Sequence, residues 1–313
     1  MINASNRTVC LIVSVILAMG IFSACGAQQI SLEPMEVPLY NQPEKRSLLM
    51  PEKSGIVTFG NNLINIDASN TSQGYLMIKY NGKNAKIKVQ ISKEGKATYT
   101  YDLNSRDAYE IFPLSEGSGK YGIKVFENIS GNQYSQAYGK TIDVKLQDEF
   151  VSFLYPNQYV NYTVDSEVVK KGMELTAGTD DSLGKLKAVY NYVVDNFTYD
   201  YSKAKSVQSG YLPKVDEILA SKKGICFDYA AVMVSMLRSQ NIPSKLVVGY
   251  TGEIYHAWVN VYLKEKGWVD AAIFFDGERW QLMDPTFASS GGRSQKVMEY
   301  IKNEANYVAK YCY

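Results

Sequence analysis

The sequence predicts an α+β protein in which a strand-rich segment precedes a helical layer and an antiparallel sheet. Three observations predict it. Short apolar runs broken by glycine-bearing turns fill residues 54 to about 160, helical periodicity takes over near Ser182, and strand-like runs return after Pro243. Strands, then helices, then strands again is the order of segregated α+β layers. Hydrophobic residues make up 46% of the 313 and charged residues 21%, near the globular average, so most of the chain is expected to fold.

The first 25 residues read as an address. Arg7 is followed by an apolar stretch from Val9 to Phe22, interrupted only by Ser14 and Gly20. That is too short to span a bilayer comfortably and suits a secretory signal. It ends in Phe22-Ser23-Ala24-Cys25-Gly26, which resembles a bacterial lipoprotein signal. The resemblance implies a lipidated Cys25 and an extracytoplasmic protein lipid-anchored to the bacterial cell membrane. Residues 26–52 contain Pro34, Pro38, Pro43 and Pro51 and read as a tether. If flexible, its r.m.s. span is roughly 30 Å.

Residues 53–162 read as seven or eight short strands. Asn81-Gly82 separates two apolar runs as a hairpin signal, and turns recur at Lys93-Glu94-Gly95, Ser118-Gly119 and Ser130-Gly131-Asn132. This spacing predicts an immunoglobulin-like β-sandwich. It holds no chemical constellation, so a packing, spacing or binding role is expected of it.

Residues 163–313 form the second expected domain. Leu183, Leu186, Val189, Tyr190 and Val193 share a helical face after Asp180-Asp181-Ser182, and a short helix is expected over Leu212–Ser221. A third helix runs from Cys226 to about Gln240, with Phe227, Ala230, Ala231, Val234 and Leu237 as its stripe, and stops at Asn241-Ile242-Pro243. Strands follow at Lys245–Tyr250, Tyr255–Leu263, Trp268–Phe274 and Arg279–Met283, and a covering helix is expected over Ser294–Lys310.

Charge and composition exclude several function classes. Lys and Arg total 33 against 32 Asp and Glu, which gives no electrostatic footprint for nucleic acid. The chain has one histidine, His256, so sites built on two or more His ligands are excluded and no metal or cofactor is implied. In the strand around it, Ala257, Val259, Val261 and Leu263 share one face, and His256, Trp258, Asn260 and Tyr262 the other. The second face is expected to look toward the Cys226 helix. A thiol at a helix start feels the dipole and the free N–H groups, which favour thiolate. Asp284, before Pro285, would orient the imidazole, completing a nucleophile–base–orienter set. The bland alternative pairs Cys226 with Cys312 in a disulfide.

Lys223-Gly224-Ile225-Cys226-Phe227-Asp228-Tyr229-Ala230, Val248-Gly249-Tyr250, His256-Ala257-Trp258-Val259 and Asp284-Pro285-Thr286 together resemble the transglutaminase-like superfamily. The resemblance implies a papain-like fold over roughly 165–313, with Cys226 as nucleophile, His256 as base and acid, and Asp284 as orienter. Members include cross-linkers joining glutamine to an amine, peptidases and amidases, and inactive relatives. The segment between His256 and Asp284 is longer than usual, which makes Asp270 a second orienter candidate. The animal cross-linkers place an oxyanion-stabilising tryptophan before the cysteine. Here Trp258, Trp268 and Trp280 all follow it, which favours hydrolysis. Tyr211 and Gln208 stand as candidate oxyanion donors beside the Cys226 N–H. Asp228 and Tyr229 are expected to buttress the helix start. The expected function is a cysteine peptidase or amidase acting on peptide or protein, cell-wall peptide included. Protein-glutamine transglutaminase and a non-catalytic binding or adhesion protein are the alternatives.

Overall fold

The computed structural model describes residues 48–313 except 106, 265–266, 270–272, 276–279, 283–285, 287–288 and 290–305. The segment expected to be an address, with Cys25, most of the expected tether, Asp270 and Asp284 therefore lie outside the described residues.

The first half holds β1 (Thr58–Gly60), β2 (Ile64–Asp67), β3 (Tyr75–Tyr80), β4 (Ile87–Lys93), β5 (Thr98–Leu103), β6 (Glu110–Pro113), β7 (Gly119–Ser130) and β8 (Gln133–Val144). They form two four-stranded antiparallel sheets, β1-β2-β3-β6 and β5-β4-β7-β8. Alternation decides which side chains are inside. Ile64 and Ile66 of one sheet and Ile87, Val89, Ile91, Ile123 and Val125 of the other enter one hydrophobic cluster. The turns at Glu94-Gly95 and Gly131 close the β4–β5 and β7–β8 hairpins, as expected.

The Asn81-Gly82 hairpin does not form. β3 pairs with β2 and β6, whereas β4 pairs with β5 and β7, so residues 81–86 cross between the sheets. Tyr80 decides the path: its hydroxyl accepts the Asn84 N–H at 3.1 Å, and a Cβ on Gly82 would lie 2.1 Å from that oxygen. A turn dipeptide signals a reversal but not which strands the reversal will pair.

The second half contains α1 (Glu167–Thr176), α2 (Ser182–Asn196), β9 (Thr198–Tyr199), α3 (Tyr201–Ser206), α4 (Val215–Ser221), β10 (Lys223–Gly224) and α5 (Cys226–Ser239). Next come β11 (Ser244–Thr251), β12 (Ile254–Leu263), β13 (Gly267–Val269), β14 (Ile273–Phe275), β15 (Trp280–Leu282) and β16 (Tyr307–Cys312). α2 starts where expected because the Asp181 carboxylate accepts the Gly184 N–H at 2.7 Å. α4 starts three residues later than expected, after Pro213, and ends at Lys222 in the left-handed region at φ 51°. α5 is not amphipathic: every residue from Asp228 to Ser239 is buried, because α1, α2 and α4 pack on it together with β11 and β12.

The sheet order is β13-β12-β11-β16. The strand expected over Trp268–Phe274 divides instead. Its first part pairs with β12 and its last with β15 in a separate hairpin. Tyr307–Lys310, expected as the end of a covering helix, is strand paired with β11. Backbone pairing overrode the helical spacing there; the rest of that expected helix lies outside the described residues.

The two halves share one compact unit. Arg238, fully buried near the end of α5, joins them. Its Nη1 donates to the Tyr155 oxygen at 2.6 Å, its Nε and Nη2 to the Ser244 oxygen at 2.9 and 2.8 Å, and its Nη2 to the Tyr313 oxygen at 2.6 Å.

Candidate functional site

Cys226 is the first residue of α5, after Ile225 in extended conformation. Two local devices hold it there. Thr198 N–H donates to Lys222 O at 2.9 Å and Asp200 N–H to Gly224 O at 2.8 Å, tying the approach to Cys226 parallel to β9. Asp228, in the first turn and fully buried, accepts the Ile225 N–H at 2.9 Å, so its negative charge sits at the positive end of the helix. Gly224 admits that carboxylate: a Cβ there would lie 2.6 Å from the Asp228 Cβ.

Lys203 and Tyr211 complete the arrangement. Lys203 Nζ lies 2.6 Å from Asp228 Oδ2, and the Tyr211 hydroxyl donates to Asp228 Oδ1 at 2.7 Å while accepting from Lys203 Nζ at 2.6 Å. Asp200 starts α3 by accepting the Ser202 and Lys203 N–H groups at 3.1 and 3.0 Å, which sets Lys203 in place. Burial, then the Asp228 carboxylate, pushes the Tyr211 hydroxyl well above the usual tyrosine range, so it remains a donor. Losing one partner of such a buried pair costs about 3–5 kcal/mol, because a charge is left uncompensated. Asp228 thus buttresses the helix start, as expected. Lys203 was not foreseen, since nothing in the spacing of residues 203 and 228 marks them as partners.

His256 lies near the start of β12, opposite Gly249 of β11, and is 5% exposed. A Cβ on Gly249 would lie 2.0 Å from the Val308 oxygen, so the close passage of β16 requires glycine at that position. The expected facing of β12 is only partly realised. The apolar row Ala257, Val259, Val261 and Leu263 packs in the core with α5, whereas Trp258 clusters with Val247, Tyr307 and Cys312. The reason is hydrophobic: the fully buried helix needs the apolar row. His256, its ring 6.2 Å from that of Trp258, nonetheless lines one cleft with Cys226.

That cleft has a volume of ≈ 440 Å³ and is also lined by Tyr159, Tyr199, Gln208, Tyr211, Phe227, Tyr255 and Tyr313. Cys226, His256, Gln208 and Tyr211 thus come together in the fold. Tyr211 is corrected as an oxyanion donor, because its one hydroxyl proton is given to Asp228. The Gln208 amide donates one N–H to the Ser206 oxygen at 2.8 Å and retains a second. Asp284 is outside the described residues; Thr286, two positions on, is buried, and Ser289 donates to the Phe197 oxygen at 2.7 Å. No disulfide joins Cys226 and Cys312, so that alternative is not adopted. Among the described residues no three His, Cys, Asp or Glu side chains group as a metal site would require.

The aromatic lining escaped sequence reasoning. Residues 159, 199, 211, 255 and 313 obey no period, and the 25 tyrosines of the chain read mainly as β-propensity and half-buried surface.

The chain is 29% identical over 203 residues to the uncharacterized protein YebA of Bacillus subtilis, covering 56% of this chain and 26% of that one. It is 27% identical over 109 residues to a protein-glutamine gamma-glutamyltransferase of Pseudomonas aeruginosa, covering 30% of this chain and 14% of that one. The chain therefore spans about a quarter or less of the length of these relatives. Among solved structures, the periplasmic domain of TgpA from Pseudomonas aeruginosa aligns with 78% of this chain and 99% of its own, at 13% identity and a TM-score of 0.35. Red sea bream transglutaminase aligns with 68% of this chain and 48% of its own, at 12% identity and a TM-score of 0.29. Residues 170–285 match the family model described as Transglutaminase-like superfamily. Over this segment the chain is similar to the transglutaminase-like superfamily.

Proposed function

We propose that the protein is a surface-anchored cysteine hydrolase acting on amide bonds of peptide or protein through a Cys226–His256–Asp284 triad. The observation that carries this reading is the shared cleft: a helix-start thiol and the sole imidazole of the chain line the same opening. The Cys226 thiolate attacks the amide carbonyl carbon and forms a C–S bond, leaving an oxyanion that the free Cys226 N–H can receive. The C–N bond then breaks, and the His256 imidazolium gives its proton to the departing amine. Water, losing a proton to His256, attacks the thioester; the C–S bond breaks, the carboxylic acid leaves and the thiolate–imidazolium pair is restored. Asp284 orients the imidazole.

The Pseudomonas aeruginosa glutamyltransferase favours a second reading, in which an amine replaces water at the thioester. One experiment tests both. Iodoacetamide at neutral pH is expected to alkylate Cys226 and to stop turnover of a denatured protein mixture, with no fluorescent amine incorporated. Alkylation of Cys312 alone, with turnover unchanged, overturns the hydrolase; incorporation of the amine transfers the assignment to the transferase. Anchoring through Cys25 predicts labelling of the mature protein in cells fed a clickable fatty acid, and an unlabelled protein ends that part of the proposal.

A further inference from the structure

Apart from the reacting Cys226–His256 pair, the described lining of the cleft is aromatic and uncharged. None of the described residues that line it is Asp, Glu, Lys or Arg. Lys203 and Asp228, at the Cys226 helix start, neutralise each other at 2.6 Å. The aromatic surface is continuous: Tyr211 meets Phe227 at 6.4 Å between centroids, Phe227 meets Tyr159 at 5.5 Å, and Tyr159 meets Tyr313 at 4.4 Å. Burial pushes Tyr159 and Tyr199 up to about 12, so these hydroxyls are neutral wherever the protein works near pH 7.

Apolar surface also continues outward from the cleft. Tyr255 lines it yet is 56% exposed, and its ring lies 5.4 Å from that of Tyr250. Ile254 and Val308, exposed at 63% and 62%, flank the pair at the β11–β12 turn and on β16. A soluble chain rarely leaves large apolar side chains gathered at a cleft mouth without a partner to cover them.

We propose that this cleft selects a polypeptide whose side chain at the reacting carbonyl is uncharged and apolar or aromatic, with Tyr255 as a specificity-determining residue. The proposal rests on Cys226 being the nucleophile. Away from the reacting Cys226–His256 pair, a carboxylate or ammonium entering the cleft would lose hydration and meet no opposite charge among the described lining residues, whereas an aromatic ring would find edge-to-face partners.

Labelled peptides differing only in Phe, Glu or Lys at the acyl position, bound to the Cys226→Ala variant and followed by anisotropy, test it. The Phe peptide is expected to bind roughly tenfold more tightly or better than either charged one. Tyr255→Ala, on an otherwise wild-type chain with an unchanged circular dichroism spectrum, is expected to raise KM for the Phe peptide more than it lowers kcat. Equal binding of all three peptides, or an unchanged KM in Tyr255→Ala, overturns the proposal. If the Phe peptide binds selectively but wild type leaves it intact, the hydrolase reading fails and the cleft preference stands. If wild type cleaves all three equally, the preference fails and the chemistry stands.

Discussion

His256→Gln is expected to lower kcat/KM for amide hydrolysis by about 10²–10⁴-fold, the contribution of one positioned proton-transfer group. Cys226→Ala is expected to cost at least as much. In the proposed mechanism the imidazole enters twice, protonating the amine and later deprotonating water, and the sequence has no second histidine to substitute for it. Glutamine approximates its size at a position only 5% exposed, so the loss is chemical and the fold is retained. Combining the two substitutions should cost little more than Cys226→Ala alone, since groups acting as a unit are not additive. Turnover of the selective peptide, measured beside urea midpoints, checks this. Full activity in His256→Gln with an intact fold would remove the imidazole from the mechanism.

Arg238→Met is expected to destabilise the fold by about 3–5 kcal/mol. The guanidinium is fully buried and donates to three backbone oxygens, those of Tyr155, Ser244 and Tyr313. Burial lowers it to about 10, which still leaves it charged at neutral pH. Two effects oppose each other in the variant. Removing the cation ends its desolvation cost, but it takes a donor from three backbone oxygens, of which that of Tyr313 keeps the Leu246 N–H at 3.0 Å, and each oxygen left unsatisfied costs about 1–3 kcal/mol. The second wins, because backbone oxygens cannot be replaced by apolar groups as a side-chain partner could. Arg238→Lys should recover only part of the loss, as an ammonium does not reproduce the planar fork. An unchanged denaturation midpoint in Arg238→Met would show that the bridge contributes nothing net.

Local signals were legible wherever a residue acts on its near neighbours. Asp181 announced α2, Asn241 and Pro243 announced the end of α5, and the alternation of β12 sorted its rows correctly. The cysteine and histidine motifs stood out for a related reason: each is a short string whose chemistry is local to one helix start or one strand. Where two distant strings had to be matched, the reading failed. Asn81-Gly82 marks a turn, but the pairing of β3 with β6 and of β4 with β7 depends on which faces need burial. Arg238, in the last turn of a helix, bridges the halves through contacts that no local pattern marks.

By itself, then, the sequence determined the α+β order, the single imidazole and the helix-start thiol, because propensity, period and residue count are properties of the chain. Tertiary structure alone decided that Lys203 and Tyr211 serve Asp228, that Tyr211 has no proton to give an oxyanion, and that tyrosines from five separate segments wall one cleft. Those facts depend on contacts between residues far apart in the chain, which only the burial of α5 between its helices and its sheet brings together.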